Sequence, residues 1–278
     1  MERRLKIALC NEVLRELPFD RQCAFAAAVG FDGLELAPFT LAENPEHLTD
    51  SDAARLRSTL AANGLSCCAL HWLLAAPSGL SITTSDEAVL HRTHELMRRL
   101  VDFAAAVGAG VLVHGSPAQR VIAGKEDEAS RQRARDAFAI AGEAAAAAGV
   151  VYCIEPLSTD ETAYINTVAE AVSVVSEVAS PGLKTMIDTA ATARDGGDCA
   201  RIIREFMPMG VLQHVHVNDP NRRGPGEGAL RFAPIFDSLR ETNYNGWVSA
   251  EPFVYEPDGM AAAARAAGVL TTLRDDRP

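Results

Sequence analysis

The feature that most constrains this chain is an alternation of short apolar runs with longer helical segments, repeated eight times from one end to the other. This alternation is the order expected of parallel strands joined by crossover helices. Eight strand–helix units are typical of a (β/α)8 barrel, which commonly forms one domain of about 250 residues. The sequence therefore predicts an α/β fold, a single (β/α)8 TIM barrel, with one catalytic domain over residues 1–278.

The predicted elements follow one another without a linker, a charge run or a shift in composition between the two halves. Glycine at positions 30, 64, 108 and 149 follows four of the predicted helices, where a left-handed residue ends a helix most easily. The predicted strands are Leu5–Cys10, Gly33–Leu36, Ser66–His71, Gly110–His114, Val150–Glu155, Leu183–Asp188, Leu212–Val217 and Trp247–Glu251, and the predicted helices are 18–29, 50–63, 86–107, 126–148, 167–179, 197–206, 232–242 and 257–273.

Composition limits the classes of partner. Hydrophobic residues make up 48% of the chain and charged residues 23%, which is enough to bury a large core. The net charge of −11 repels phosphate backbones and anionic membranes, so we expect a small-molecule substrate, no nucleic acid and no membrane. The segment Met1–Cys10 lacks a signal-peptide pattern, and the six cysteines lack Cys-x-x-Cys spacing. We therefore expect cytoplasmic residence and reduced thiols, with a homo-oligomer possible.

Polar or ionisable residues occupy the last or the next-to-last position of seven of the eight predicted strands. The carboxyl ends of barrel strands converge on one mouth, where the chemistry of this fold is found. A single polar residue at such a position is more often structural than catalytic, but seven in succession are harder to explain in that way. In chain order they are Glu35, His71, His114, Glu155, Asp188, His216 and Glu251.

The last four of these residues predict a metal site. Glu155, Asp188, His216 and Glu251 follow one another at intervals of about 30 residues, one strand–helix unit each. Three carboxylates and one imidazole suit Mn²⁺, Mg²⁺ or Co²⁺, and the imidazole also allows Zn²⁺. Without a cation the three carboxylates would repel one another. We expect one divalent metal ion as the cofactor.

At these residues the chain resembles the xylose isomerase-like superfamily, in particular the sugar phosphate isomerase/epimerase group that includes ketose 3-epimerases such as D-tagatose 3-epimerase. The similarity spans nearly the whole chain, and each matching piece is weak alone but specific as an ordered set. The pieces are Ile154-Glu155-Pro156-Leu157, Ile187-Asp188-Thr189, His214-Val215-His216, Asn221-Arg222, Gly224–Gly228 and Tyr244-Asn245-Gly246 leading to Glu251-Pro252-Phe253.

The resemblance implies roles for individual residues. It assigns the metal to the same four residues and selects His216 over His214, because the family ligand lies six residues before a substrate-binding arginine, here Arg222. A second glutamate that contacts substrate falls on Glu161. The substrate-binding histidine of ketose 3-epimerases falls on Ala191, which is a departure from the family pattern and puts the ketose specificity in doubt.

The resemblance, together with the predicted metal site, implies a metal-dependent sugar isomerase or epimerase of carbohydrate metabolism. Proton transfer next to a carbonyl needs a base near the carbon and an electrophile that stabilises the enediolate. We expect Glu155 and Glu251 to be the catalytic acid/base pair on opposite faces of a ketose or related keto-sugar. Return of the proton to the same carbon gives epimerisation, and return to the neighbouring carbon gives isomerisation.

Other functions use the same set of residues. A lyase that dehydrates a keto-sugar or keto-inositol could share the metal site, and Ala191 keeps this alternative open. An apurinic endonuclease would match His71 and His114 at strand ends, but it would need a histidine near Ala191 and would be opposed by the acidic charge. A non-catalytic binding protein is disfavoured, because complete ligand sets tend to be lost when chemistry is abandoned.

The strand ends of the first half allow several interpretations. His71 and His114 are core histidines, ligands of a second metal or substrate contacts, and we favour substrate contact. Glu35 either binds a sugar hydroxyl or braces His71. Aromatic residues predicted beside the mouth, which either cover the sugar or pack the loops, are Phe39, Trp72 and Phe253.

Overall fold

A computed structural model describes residues 4–124 and 127–276 of the chain. The first three residues of the N-terminal segment and residue 126 of the fourth predicted helix lie outside the described residues. The described strands are β1 (Lys6–Cys10), β2 (Gly33–Leu36), β3 (Ser66–Leu70), β4 (Val111–His114), β5 (Val151–Ile154), β6 (Leu183–Asp188), β7 (Leu212–Val217) and β8 (Trp247–Ala250).

The eight strands are hydrogen-bonded in the order β1 to β8, and the sheet closes where β8 pairs in parallel with β1. The prediction of a (β/α)8 TIM barrel is therefore confirmed. Among the described residues the helices are α1 (Phe19–Val29), α2 (Pro38–Leu41), α3 (Asp50–Ala62), α4 (Glu87–Val107), α5 (Glu128–Ala148), α6 (Val168–Val178), α7 (Thr189–Arg194), α8 (Cys199–Phe206), α9 (Ala233–Glu241) and α10 (Gly259–Asp275).

Helix ends follow the expected chemistry. Gly30, Gly108 and Gly149 adopt positive φ directly after α1, α4 and α5, the conformation that glycine adopts without steric cost. Thr167 and Glu170 form a capping box at the start of α6. The short helices α2 and α7 were not predicted, because four to six residues give too little periodicity to read.

The chain forms two compact units. The first contains the residues up to Leu36, Leu56–Cys68 and those from Ile187 onward, and the second contains Ala37–Arg55 and Ala69–Met186. The first holds β1, β2, β7 and β8, and the second holds β4 and β5. The assignment of residues 1–278 to one domain stays a prediction.

The described residues contain six buried cysteines, all free thiols, as expected. No helix in residues 4–124 and 127–276 is long and apolar enough to cross a membrane.

Candidate active site

Two histidines of β7 and the carboxylate of Glu35 form a buried network in the first unit. His214 and His216 lie two residues apart, so their side chains leave β7 on the same face. The Nε2 of His214 lies 2.7 Å from Oε2 of Glu35, and the Nε2 of His216 lies 2.9 Å from Oε1. All three side chains are fully buried. One carboxylate therefore holds both imidazoles.

Opposing effects act on the ionisation of Glu35. Burial favours the neutral acid, but attraction and hydrogen bonds from His214 and His216 outweigh it and hold the pKa of Glu35 well below its usual value. The side chain is thus a carboxylate that accepts hydrogen bonds. Substrate contact by Glu35 stays a prediction, and the structure places both of its oxygens beside imidazole nitrogens.

Three of the four predicted metal ligands come together within the first unit. Asp188, His216 and Glu251 each offer a ligand atom, and these atoms lie within 4.8 Å of one another. The Nδ1 of His216 lies 2.9 Å from Oε2 of Glu251. Asp188 and Glu251 are only 5% and 4% exposed, so two carboxylates are held away from water beside one imidazole. Such a group of side chains could hold a cation.

The backbone around these ligands is fixed by Asn218, the first residue after β7. Its side-chain amide donates to the carbonyl of Glu251 at 2.9 Å, and its side-chain oxygen accepts the backbone N–H of Ala190 at 3.2 Å. The hydroxyl of Thr189 donates to the carbonyl of Asn218 at 2.8 Å. The ends of β6, β7 and β8 are thereby tied together where Asp188, His216 and Glu251 project.

Asp188 also begins a helix. Its Oδ1 accepts the backbone N–H of Ala191 at 2.6 Å, which caps the N-terminus of α7. The position where the resemblance implies a substrate-binding histidine is thus occupied by the buried methyl group of Ala191, in the first turn of a short helix. The departure seen in the sequence removes a polar side chain next to this carboxylate.

The loop after β7 presents Arg222 in a strained conformation. Arg222 has a φ of 68°, which is rare for a residue with a side chain, and strain of this kind is often found at functional sites. Its N–H donates to the carbonyl of Asp219, and its carbonyl accepts the N–H groups of Phe253 and Val254. The guanidinium lies 4.7 Å from the centroid of the Phe253 ring, at a cation–π distance.

Asp219 organises this loop and was missed by the sequence analysis. The side chain is fully buried, and its two oxygens accept the backbone N–H groups of Gly226 and Leu230, each at 2.9 Å. An aspartate ahead of a glycine-rich segment is a typical loop-capping signal. The segment Gly224–Gly228 is therefore held as a loop before α9.

Glu155 lies in the second unit, directly after β5. Its backbone carbonyl accepts a hydrogen bond from Nη1 of Arg120 at 2.8 Å. Its carboxylate lies against the backbone of Gly115, where a Cβ atom would come within 1.7 Å of Oε2. A side chain at position 115 would force this carboxylate to move. The sequence analysis missed both neighbours, although a glycine directly after a strand ending in histidine is a readable sign of close approach.

Glu161 lies in the loop that follows β5 in the same unit. Its Oε2 accepts the hydroxyl of Ser158 at 2.5 Å and the backbone N–H of Ser158 at 3.3 Å. The side chain is half-buried. Its predicted substrate contact stays a prediction.

His114 has a different environment. Its Nδ1 lies 2.7 Å from the hydroxyl of Tyr152, and its ring packs edge-on against Phe138 of α5. Burial, followed by the nearby charge of Arg120, lowers the pKa of His114 to about 3. Alternation puts this ring on the opposite face from Val113, which packs with Cys153 and Met186. His114 is therefore a neutral core histidine packed toward a helix.

The other predicted contacts of the second unit are placed as follows. His71 is buried directly after β3. Trp72 has a φ of 51° and packs edge-on against Phe39 with ring centroids 6.4 Å apart. Substrate contact by His71 or by these rings stays a prediction, and the packing of Trp72 on Phe39 fits the interpretation that they pack the loops.

Several known proteins are similar to this chain over most of its length. A family model described as xylose isomerase-like TIM barrel matches residues 23–273. The 2-oxo-tetronate isomerase of Cupriavidus necator is 31% identical over 254 residues, covering 86% of this chain and 88% of that protein. A probable ketose 3-epimerase of Synechocystis sp. is 26% identical over 247 residues, covering 85% and 79%.

Solved structures show the same fold. The D-psicose 3-epimerase of Clostridium cellulolyticum H10, crystallised with D-tagatose, superposes with a TM-score of 0.83 at 20% identity. The match covers 98% of this chain and 99% of that one.

Proposed function

This chain belongs to the xylose isomerase-like TIM barrel family, and from that premise we propose that it is a divalent-metal-dependent sugar isomerase or epimerase. The observation that carries the proposal is the buried group of Asp188, His216 and Glu251 with Glu35 behind the imidazole. The relatives reported above are named as an isomerase and an epimerase. Both reactions move a proton next to a carbonyl.

The three side chains of the first unit fit a cation. Neighbouring ligands of an octahedral ion with bonds of roughly 2.1 Å lie about 3 Å apart, and Nδ1 of His216 and Oε2 of Glu251 are 2.9 Å apart. A histidine that binds metal through one nitrogen usually donates the other N–H to a carboxylate, which fixes the tautomer. Glu35 stands at Nε2 of His216 in that role, so Nδ1 is the proposed ligand atom.

We include Glu155 as the fourth ligand. Its support is its place directly after β5, since strand ends of a closed barrel converge on one mouth. Three carboxylates and one imidazole suit Mn²⁺, Mg²⁺ or Co²⁺ better than a soft cation, with Zn²⁺ as the alternative.

The chemistry follows from these positions. A bound metal ion would supply positive charge next to the substrate oxygens, where negative charge develops during proton transfer. Glu155 and Glu251 remove and return the proton, and they act on opposite faces of the substrate when a centre is inverted. Arg222 binds substrate oxygens through the N–H groups along one edge of its planar guanidinium. The cation–π contact holds this guanidinium over the ring of Phe253. Glu161 binds a substrate hydroxyl.

We propose that the substrate is a ketose or a related keto-sugar. The names of the two relatives, a probable ketose 3-epimerase and a 2-oxo-tetronate isomerase, contain substrates of this type. The choice between isomerisation and epimerisation depends on which carbon receives the proton. Cytoplasmic residence, the physiological metal and a homo-oligomer stay predictions.

Glutamine variants of the acid/base pair test the proposal. Glu155→Gln and Glu251→Gln keep the size of the side chain and one oxygen but remove the basic carboxylate. Each variant, loaded with Mn²⁺, should lose about 10²- to 10⁴-fold in turnover of a panel of ketoses and keto-sugars. NMR in D2O follows deuterium uptake at the carbon that exchanges. The variant that retains the base for a given epimer should still exchange its proton, and the other should not.

The matched control is Glu241→Gln, a surface glutamate paired with Arg204, which should turn over like the unmodified enzyme. Normal turnover by either metal-loaded site variant would defeat the two-base mechanism. Product mass separates the outcomes further, because isomerisation conserves mass, whereas a dehydrating lyase loses water.

A further inference from the structure

Two asparagines of this chain are followed directly by glycine, Asn63-Gly64 after α3 and Asn245-Gly246 before β8. Asparagine is chemically labile, because the backbone nitrogen of the next residue can attack its side-chain amide. Glycine has no side chain to shield that nitrogen. The two pairs are therefore alike in sequence, and a difference in their reactivity has to come from the fold.

Asn63-Gly64 is protected by the end of α3. The N–H of Gly64 donates to the carbonyl of Ala61 at 3.0 Å. The side-chain amide of Asn63 donates to the carbonyl of Thr59 at 2.9 Å. Both the attacking nitrogen and the group under attack are held by these hydrogen bonds, so the last turn of the helix must open before they can meet.

Asn245-Gly246 lies in the loop between α9 and β8 and has neither restraint. The side chain of Asn245 is exposed to solvent. In the part of the chain that the structure describes, its amide makes no hydrogen bond, and the N–H of Gly246 has no acceptor. The pair also borders an open cavity of about 160 Å³, which Gln213 and Thr242 line with it. The nitrogen, the amide and water are all available in the folded protein.

The packing of Tyr244 explains why glycine follows Asn245. The hydroxyl of Tyr244 donates to the carbonyl of Trp247 at 2.8 Å, across the loop. A Cβ atom at position 246 would lie 2.4 Å from that hydroxyl oxygen, so a side chain there would force the tyrosine to move. The residue that leaves Asn245 open to attack is thus the residue that this packing favours.

We propose that Asn245 is a site of spontaneous deamidation in the folded protein, and that the fold selects it over Asn63. The backbone nitrogen of Gly246 forms a bond to Cγ of Asn245, and the side-chain nitrogen leaves as ammonia together with the proton of that backbone nitrogen. A cyclic succinimide results.

Water then opens the succinimide at one of its two carbonyl groups. Opening at the main-chain carbonyl gives isoaspartate, in which the main chain runs through the former side chain, and opening at Cγ gives aspartate. The reaction consumes one water molecule and releases one ammonia, without an oxidant or a reductant. Either product adds one negative charge ahead of β8, the strand that leads to Glu251.

Incubation of the folded protein in mildly alkaline buffer tests this proposal. Trypsin releases the two asparagines in separate peptides, residues 58–92 and 241–265, and mass spectrometry follows the deamidated fraction of each, with a zero-time sample as the baseline. Asn245 should deamidate at least about 10-fold faster than Asn63, because Asn63 reacts only after the helix end opens. Fragmentation should place the change at Asn245 and not at Asn243.

The chain unfolded in guanidinium chloride is the reference for the effect of the fold. Both pairs should then react at rates within about threefold of each other, since the helix end and the loop are gone. Comparable rates for the two asparagines in the folded protein, or faster reaction of Asn63, would overturn the proposal. So would an Asn245 that stays intact in the folded protein while it reacts in the unfolded chain.

Asn245→Gln is the matched variant, because glutamine carries the same amide but has to close a larger ring. It should remove the slow conversion of the folded protein to a more acidic form on ion exchange, whereas Asn63→Gln should leave that conversion unchanged. Asn245→Asp should elute with the acidic form of the unmodified protein. Persistence of the acidic form in Asn245→Gln would contradict the proposal.

Discussion

His216 of β7 and His114 of β4 are both fully buried histidines at strand ends, yet their surroundings differ completely. His216 has a carboxylate beside each ring nitrogen, Glu35 at Nε2 and Glu251 at Nδ1. His114 has the hydroxyl of Tyr152 and the ring of Phe138. The first environment favours a histidine that holds a cation together with carboxylates, and the second favours a neutral ring. Identical residue types at similar positions therefore carry different chemistry.

The largest expected effect is on the ligands themselves. His216→Ala and Asp188→Asn should each remove most of the bound metal, because the first takes one donor from a site of four and the second takes the negative charge from another. Turnover should fall by roughly 10³-fold, since a bound metal contributes several kcal/mol to transition-state stabilisation. Metal content by atomic emission and kinetics on the same preparations measure both effects.

Full metal occupancy in both variants would refute the assignment of these residues as ligands. His114→Gln is the matched control, because it changes a buried strand-end histidine outside the proposed site. It should retain its metal.

A smaller effect on metal binding should follow from changing Glu35, which contacts Nε2 of His216, the ring nitrogen that is not the proposed metal ligand. Glu35→Gln keeps the shape but loses the charge that stabilises the Nδ1-ligating form of the ring. We expect the affinity for Mn²⁺ to fall about 10- to 100-fold, as is usual for a hydrogen-bond partner of a metal ligand. Competition with a chelator measures the affinity, and ¹⁵N NMR reports the tautomer of His216.

His214→Gln is the comparison for Glu35, because it removes the other imidazole from the same carboxylate. It should weaken metal binding less than Glu35→Gln does. An unchanged affinity and an unchanged tautomer in Glu35→Gln would show that Glu35 only fills space in the core.

The smallest expected effect is the contribution of His114 to the pH dependence of the unfolding free energy. Its pKa is lowered in the folded state to about 3, so the unfolded chain binds a proton below the ordinary value of about 6.5 while the folded chain does not. The stability that His114 contributes is present above that ordinary pKa and is lost as the pH falls. From pH 7 to pH 5 this loss is on the order of 2 kcal/mol.

Urea unfolding at several pH values measures this dependence. His114→Gln should show a shallower decrease in unfolding free energy between pH 7 and pH 5 than the unmodified protein. His91→Gln, which changes an exposed histidine of α4, should keep the original slope. Equal slopes in all three proteins would mean that His114 is protonated in the folded state.

Much of the fold was readable from the sequence, because each strand–helix unit carries its own hydrophobic period and its own end signals. The bounds of β2, β6 and β7 agree with the prediction, and the others differ by one or two residues. The one-per-unit spacing of polar residues at strand ends predicted the metal ligands, because it is a property of chain order, and the family resemblance selected His216 over His214. Asp188, His216 and Glu251 could therefore be proposed together before any distance was known.

Side-chain partners could not be predicted in this way, because they depend on contacts between residues far apart in the chain. Glu35 and His216 are separated by most of the sequence, and no local pattern joins them. Arg120 lies in an irregular loop and looks like a solvated surface residue until its burial against Glu155 is seen. His114 had the same sequence signal as His216, and only the packing of Tyr152 and Phe138 decided its environment. Residue order fixes which face of a strand a side chain occupies, but the desolvation and the partners that set its chemistry exist only after the distant segments have packed.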